Sequence, residues 1–269
     1  IGIYSLNGSY NLFLNCDAYR NWDYTSENKK GGNVDGFGCH PRKGAVGNVF
    51  RGCRAWFNSD DGFDCISSSE AVTFEHCWAF YNGFSPTFAS LGDGNGFKRG
   101  GYGAAPPSRL PDPIPRHVIV DCLAVRNKAN GFYQNHHLAG DIWYNNTAYE
   151  NGVDFNMLER LADNRTDVPG SGITLKNNLG YKGRRELANL NVAKSDATNN
   201  SFDLPVKVGD DDFVSLDQTQ LTRPRQANGD LPEITFMHLA KGSDLIDKGV
   251  DVKLPFNGAR PDLGAFESK

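Results

Sequence analysis

The chain has 269 residues, with 28 Lys and Arg against 32 Asp and Glu and a formal net charge of −4. That length suffices for one large domain with a continuous core, and the acidic balance argues against a nucleic-acid partner. No run of 18 apolar residues offers a membrane span, and 30 glycines against 2 methionines favour a turn-rich all-β chain. The first residues, Ile1-Gly2-Ile3-Tyr4, are already strand-like and lack Met. Upstream residues are therefore expected to be missing, and no signal segment is visible.

In chain order, a short unit repeats. Asn15-Cys16-Asp17-Ala18-Tyr19-Arg20-Asn21 aligns without gaps with the segments beginning at Gly52, His76 and Asp121. Each carries Cys, then Ala two residues on, then Asn. Weaker copies begin at Asn145 and Asn177. Counted from Cys16, Cys53, Cys77, Cys122, Asn146 and Asn178, the copies start 37, 24, 45, 24 and 32 residues apart. The basic unit is thus about 24 residues, too short to bury a face alone. Cys and Ala alternate with larger residues at period 2, a strand signal, and Gly and Asn mark the turns.

These features predict an all-β fold, a parallel β-helix solenoid. Cys16, Cys53, Cys77 and Cys122 form one inward column in this reading, and Ala18, Ala55, Ala79 and Ala124 another. Asn21, Asn58, Asn82, Asn127 and Asn151 stack at one turn, where their amides bond neighbours along the column. Side chains of one column point the same way, so the cysteines read as reduced core fillers rather than bridges. The additions to the unit, residues 22–34, 83–94 and 101–116, are expected as loops on one rim. Residues 1–184 are read as repeat coils and 185–269 as last coils plus a C-terminal cap, all in a single domain.

A second motif recurs within the coils: Asp35-Gly36-Phe37, Asp61-Gly62-Phe63, Asn95-Gly96-Phe97 and Asn130-Gly131-Phe132. Its first residues share a turn column, its Phe residues share an inward column, and the next position holds Gly38, Asp64, Lys98 and Tyr133, pointing outward. Asp35, Asp60, Asp61 and Asp64 then converge on one patch. Two carboxylates 5 Å apart repel by about 3 kcal/mol at an effective dielectric near 20, so four need a counter-ion. An all-oxygen, carboxylate-rich set suits Ca²⁺ better than Zn²⁺. The plainer alternative is a set of turn aspartates before glycine. Lys98, one coil beyond Asp64, is either a salt-bridging surface lysine or a general base beside a metal. The latter pairing suits removal of a proton alpha to a carboxylate.

The set Asp35-Gly36-Phe37, Asp60-Asp61-Gly62-Phe63-Asp64 and Asn95-Gly96-Phe97-Lys98-Arg99-Gly100-Gly101 resembles the polysaccharide lyase family 9 pectate lyases. Asn130-Gly131-Phe132 and the closing Asp262-Leu263-Gly264-Ala265-Phe266-Glu267 extend the resemblance. It implies a right-handed parallel β-helix that cleaves uronate-containing pectic chains by β-elimination. It implies Ca²⁺ on Asp35, Asp60, Asp61 and Asp64, with Lys98 as the base that lifts the C5 proton. It also implies a secreted, periplasmic or cell-surface protein, here expected to be a monomer.

Arg99 departs from the family's apolar residue after the lysine. It either contacts a substrate carboxylate or ends its strand toward solvent. Tyr133, Asn135 and His137, with His136, are candidates for binding sugar one coil beyond Lys98; stacking within the turn is the alternative. Trp22 and Tyr24 are candidate sugar-stacking aromatics, and Arg42, Lys43 and Arg116 candidate contacts to acidic sugars. Three other readings stay open. The substrate could be rhamnogalacturonan I, cut by the same chemistry. The Asp60-Asp61 pair could serve a hydrolase. The chain could also be a non-catalytic β-helix adhesin or carbohydrate-binding module with a structural Ca²⁺.

Overall fold

The computed structural model describes residues 1–23, 25 and 30–268. Three parallel sheets run along its length; each of the first six coils gives one strand to each, and the seventh gives strands only to sheets 1 and 2. Sheet 1 contains Ile3–Ser5, Phe37–Cys39, Phe63–Asp64, Phe97–Lys98, Asn130–Tyr133, Val153–Asn156 and Leu187–Ala188. Sheet 2 runs from Leu12–Leu14 to Asp196–Thr198, and sheet 3 from Asp17–Tyr19 to Leu179–Tyr181. Neighbouring strands pair in unbroken register, as in Ala18↔Ala55↔Ala79↔Ala124↔Ala148. This is the expected parallel β-helix.

The corners explain the repeat. Between sheets 2 and 3 the chain turns on one left-handed residue: Asn15, Gly52, His76, Asp121, Asn145, Asn177 or Asn199. Glycine adopts this conformation freely, and Asn, Asp and His adopt it more readily than other side chains. The cysteine column follows at once, and the cysteines are all free. From Asn146 onward the column changes from thiol to amide, with Asn146 donating to Asn178 and Asn178 to Asn200.

The corner from sheet 3 to sheet 1 also turns on a left-handed residue, but there the positions are Arg20, Phe57, Tyr81, Arg126, Glu150 and Lys182. Each costs about 1–2 kcal/mol in that conformation. The asparagine ladder beside it offsets the strain. Asn21 Nδ2 donates to Asn58 Oδ1 at 2.8 Å, Asn58 to Asn82 at 2.9 Å, Asn82 to Asn127 at 2.9 Å and Asn127 to Asn151 at 3.0 Å. Spare amide protons meet the alanine column's carbonyls, as Asn82 Nδ2 does with Ala55 O. The ladder also accounts for the Gly-Phe motif. A Cβ on Gly62 would lie 2.7 Å from Gly96 O and 2.9 Å from Asn82 Nδ2, so only glycine fits. The phenylalanine after it enters a stack, Phe37, Phe63, Phe97, Phe132 and Phe155, with ring centroids 4.8–5.1 Å apart.

Two placements differ from the sequence reading. The long loops do not share a rim: residues 22–34 and 83–94 leave the corner before sheet 1, whereas 101–116 leave the corner after it, so they flank that sheet on both sides. Tyr24 lies outside the described residues. The C-terminal segment also does more than close an end. Phe202 packs against Phe155 and the end of the core. Beyond it, Phe213, Leu221, Phe236, Met237, Leu239, Leu245 and Leu263 cover the outer face of sheet 3 over Trp78, Phe80, Leu123 and Tyr149. The strap reaches the first coils, where Arg225 and Arg54 both grip Asp17, Arg225 at 2.5 Å and Arg54 at 2.7 Å.

Asn82 sits mid-ladder, fully buried, bonded to both neighbours and to Ala55 O. Asn82→Ala is expected to cost about 3 kcal/mol, because several buried groups lose their partners together. Asn21→Ala, at the open end, should cost about 1 kcal/mol or less. Urea unfolding monitored by circular dichroism compares the two.

Candidate active site

The site lies where the short corner 57–62 is enclosed between the two long loops. Ser59 Oγ donates to Gly31 O at 2.7 Å, and Gly92 N donates to Ser59 O at 2.7 Å, so both loops rest on this corner. Asp60 ties them further. Its Oδ2 accepts from Asn33 N and its Oδ1 from Asp93 N, each at 2.7 Å. Asp61 is fully buried. Its N–H donates to Asp35 Oδ1 at 3.2 Å, and its Oδ1 accepts from Asn95 N and Nδ2, each at 2.7 Å.

Ligand atoms of Asp35, Asp60 and Asp61 all lie within 4.8 Å of one another. Asp64 is not part of that trio. It sits one residue past Phe63, directly opposite Lys98 in the strand register. Lys98 Nζ lies 2.9 Å from Asp61 Oδ2 and 3.2 Å from Asp64 Oδ2. Asp61 Oδ2 has no hydrogen bond apart from that ion pair.

One ammonium cannot balance this much negative charge. Burial, reinforced by the charges of Asp64, Asp61 and Asp60, holds the Asp35 carboxyl well above its ordinary range. Burial raises Asp61 to about 7 although Lys98 opposes it. Asp60 is also raised by burial, against the pull of its backbone hydrogen bonds. Burial would lower Lys98, but the Asp61 and Asp64 carboxylates outweigh it and hold the ammonium strongly protonated. The donors are all carboxylate oxygens, one of them carrying no bond except to Lys98. They fit a hard divalent cation such as Ca²⁺, with Asp35, Asp60 and Asp61 as the nearest set and Asp64 beside it.

The groove beyond Lys98 partly corrects the sequence reading. Tyr133 is the outward neighbour of Lys98. Its hydroxyl donates to His136 Nε2 at 3.0 Å, because His136 Nδ1–H is committed to Asp167 at 2.8 Å. Asn135 is nearly buried and spends its amide nitrogen on Gly100 O. Arg99 neither reaches a groove nor ends in solvent. It follows outward-pointing Lys98, so the strand alternation turns it into the core, where it is fully buried. Its guanidinium donates to Phe63 O at 2.6 Å and Cys65 Sγ at 3.1 Å and lies 3.9 Å over the Phe74 ring. It thus grips both residues that flank Asp64.

His137 is also fully buried, away from the groove, near His117 and Asp141. Those three side chains look like metal ligands by proximity alone. Hydrogen bonding argues otherwise: His117 Nδ1 accepts from Val72 N and His137 Nδ1 from Gly101 N. Both rings therefore carry their proton on Nε2, and His137 donates it to Pro115 O at 2.7 Å. Neither ring has a nitrogen lone pair left for a metal.

Asp60→Ala removes the acceptor shared by two loops. Amide exchange at Asn33 and Asp93 is expected to speed up at least about tenfold in metal-free protein, while ladder amides such as Asn82 keep their protection. Exchange read by mass spectrometry on peptides 31–34 and 91–94 checks it.

Residues 1–185 match the family described as "Pel9A-like, right handed beta helix region", and residues 191–263 match one described as "Rhamnogalacturonan lyase-like, C-terminal". The chain is 38% identical to a pectate lyase L of Dickeya dadantii (strain 3937), over 97% of its own length and 56% of that protein's. A solved rhamnogalacturonan lyase superimposes with a TM-score of 0.85 at 48% identity, covering 90% of this chain and 60% of the other. A crystal structure of pectate lyase Pel9A gives a TM-score of 0.79 at 38% identity, covering 98% and 60%. The chain spans a little over half the length of the curated relatives it matches most extensively. With its parallel coils and the match over residues 1–185, this chain belongs to the Pel9A-like right-handed β-helix family.

Proposed function

We propose that this chain carries the catalytic centre of a calcium-dependent lyase that cleaves galacturonate-containing pectic polysaccharide by β-elimination. The observation that supports it most is Lys98 Nζ, held 2.9 Å from Asp61 and 3.2 Å from Asp64 at the rim of the Asp35–Asp60–Asp61 group. A bound divalent cation would neutralise the uronate carboxylate and acidify the proton at C5. Carboxylates that share their charge with a cation hold the Lys98 proton less tightly, so the amine becomes able to accept one. Lys98 Nζ then takes the C5 proton, the C5–H electrons form the C4–C5 double bond, and the C4–O bond breaks. The departing oxygen takes a proton from water. Asp64 and Asp61 orient the amine, and Arg99 fixes the strand that carries Asp64.

Rhamnogalacturonan I is the second substrate reading. It is supported by the match over residues 191–263 and by the higher identity to the rhamnogalacturonan lyase structure, 48% against 38%. The chemistry is the same, since a galacturonate still supplies the acidic proton. Such substrates lie outside cells, so we place the protein as secreted, periplasmic or on the cell surface. Among the described residues no helix is long and apolar enough to cross a membrane.

Lys98→Ala is expected to lower kcat about 10²–10⁴-fold, read from the ultraviolet absorbance of the unsaturated product on polygalacturonate and on rhamnogalacturonan. A chelator should abolish the parent's activity and Ca²⁺ restore it. A variant that keeps full activity on whichever polymer the parent cuts removes Lys98 from the mechanism.

A second outcome concerns stability. Asp61 titrates near 7 when folded and near 4 unfolded. The folded state thus binds more protons, and metal-free stability falls as pH rises from about 4 to about 7. Ca²⁺ relieves that penalty, so it should raise Tm more at pH 7.5 than at pH 4.5. Thermal melts at the two pH values measure this.

A further inference from the structure

Downstream of Lys98 the corner before sheet 1 becomes short again, and a cleft of about 670 Å³ opens along three successive coils. Four cationic side chains line it, Arg126, Lys128, Lys182 and Arg184, against one carboxylate, Glu150, with Phe84 at its edge. This is a concentrated positive patch on a chain whose net charge is −4. Two of the cations are already engaged. Lys182 pairs with Asp210 at 2.7 Å, and Lys128 Nζ donates to Leu91 O at 2.8 Å and also to Gly92 O. Lys128 so holds the 83–94 loop that Asp60 pins from the other side. Arg126 lies with its guanidinium 4.3 Å over the Phe88 ring of that loop. Among the described residues no carboxylate lies within ion-pair distance of Arg126 or Arg184.

The cleft has a fixed place relative to Lys98. The outward column of sheet 1 runs Lys98, Tyr133, Asn156, Ala188 in unbroken register. Three steps of about 4.8 Å span about 14 Å. The Asn82–Asn127–Asn151 ladder carries the corner along in parallel, and Arg184 N continues it by donating to Asn151 O. A polymer laid along the outward column therefore has this cleft on its flank, beginning one coil beyond Lys98 and reaching the third.

We propose that the cleft is a binding site for a galacturonate-rich stretch of the acidic polysaccharide, with Arg126 and Arg184 holding uronate carboxylates through paired N–H donors. The proposal rests on the lyase reading, because the polymer that it binds is the one presented to Lys98. Planar guanidinium groups suit repeated carboxylates, and cations aligned along a groove strengthen and speed the capture of a polyanion.

The test compares the parent with Arg126→Gln/Arg184→Gln, both exposed positions. Kinetics are read on polygalacturonate and on trigalacturonate, and migration is read in native gels cast with polygalacturonate. The double variant should raise KM for the polymer at least fivefold, keep kcat and trigalacturonate cleavage within twofold, and lose retardation in the gel. Unchanged polymer KM and unchanged retardation overturn the site, as does an equal loss on polymer and trisaccharide. The gel needs no turnover. Retardation that depends on the arginines in a protein that yields no unsaturated product from polygalacturonate or from rhamnogalacturonan would sink the lyase reading and keep the cleft, whereas activity with arginine-independent retardation would do the reverse.

Discussion

Everything at the site depends on coils that stack one residue directly above the same residue of the next. Single left-handed residues turn the corners on either side of sheet 3, and the buried Asn58–Asn82–Asn127–Asn151 ladder locks the corner before sheet 1 at two hydrogen bonds per step, from the backbone N–H and the side-chain amide of each Asn to the Oδ1 of the next. The register this enforces is what sets Lys98 opposite Asp64 and stacks Asp61 between Asp35 and Asn95. A slip of one residue would turn Lys98 inward and Arg99 outward. Arg99 resists such a slip from beneath, by bonding Phe63 O and Cys65 Sγ on either side of Asp64.

The ladder builds precision, and the aspartates store electrostatic strain. Three carboxylates crowd together in a nearly dry corner, with one ammonium to oppose them. Their proton affinities rise because burial penalises their charge. The same crowding holds Lys98 protonated, and in the proposed mechanism a bound cation would share that load. Asp60 adds a mechanical role, since both long loops hang from its two oxygens. The wall of the groove and the charge of the site are therefore coupled through one side chain.

Much of this was legible in the sequence because stacking repeats composition. The Cys, Ala, Asn and Asp/Asn-Gly-Phe columns all appear as spaced motifs, and they locate the Asp35, Asp60, Asp61 and Lys98 group without any coordinates. What escaped depended on direction or on partners distant in sequence. The sequence expectation for Arg99 is a substrate contact or a strand end in solvent, although alternation from Lys98 sends it inward. His137 looked like a groove residue, yet a tight turn with left-handed Asn135 and His136 rotates it into the core. The C-terminal strap was hinted at by runs such as Trp78-Ala79-Phe80 and Leu123-Ala124-Val125. Their flanking residues are as apolar as the inward alanines, the mark of a strand buried on both faces.

The central claim is that cation and proton compete at this corner, so that a cation among the aspartates frees the Lys98 amine. The measurement that tests it most directly is the labelling rate of Lys98 by an amine-specific acylating reagent at mildly alkaline pH, resolved by peptide mass spectrometry, with and without Ca²⁺. Neutral amine is the reactive form, so the account predicts slow labelling without Ca²⁺ and a clear acceleration with it, relative to exposed lysines such as Lys253. A Lys98 rate that Ca²⁺ leaves unchanged relative to those lysines would contradict it.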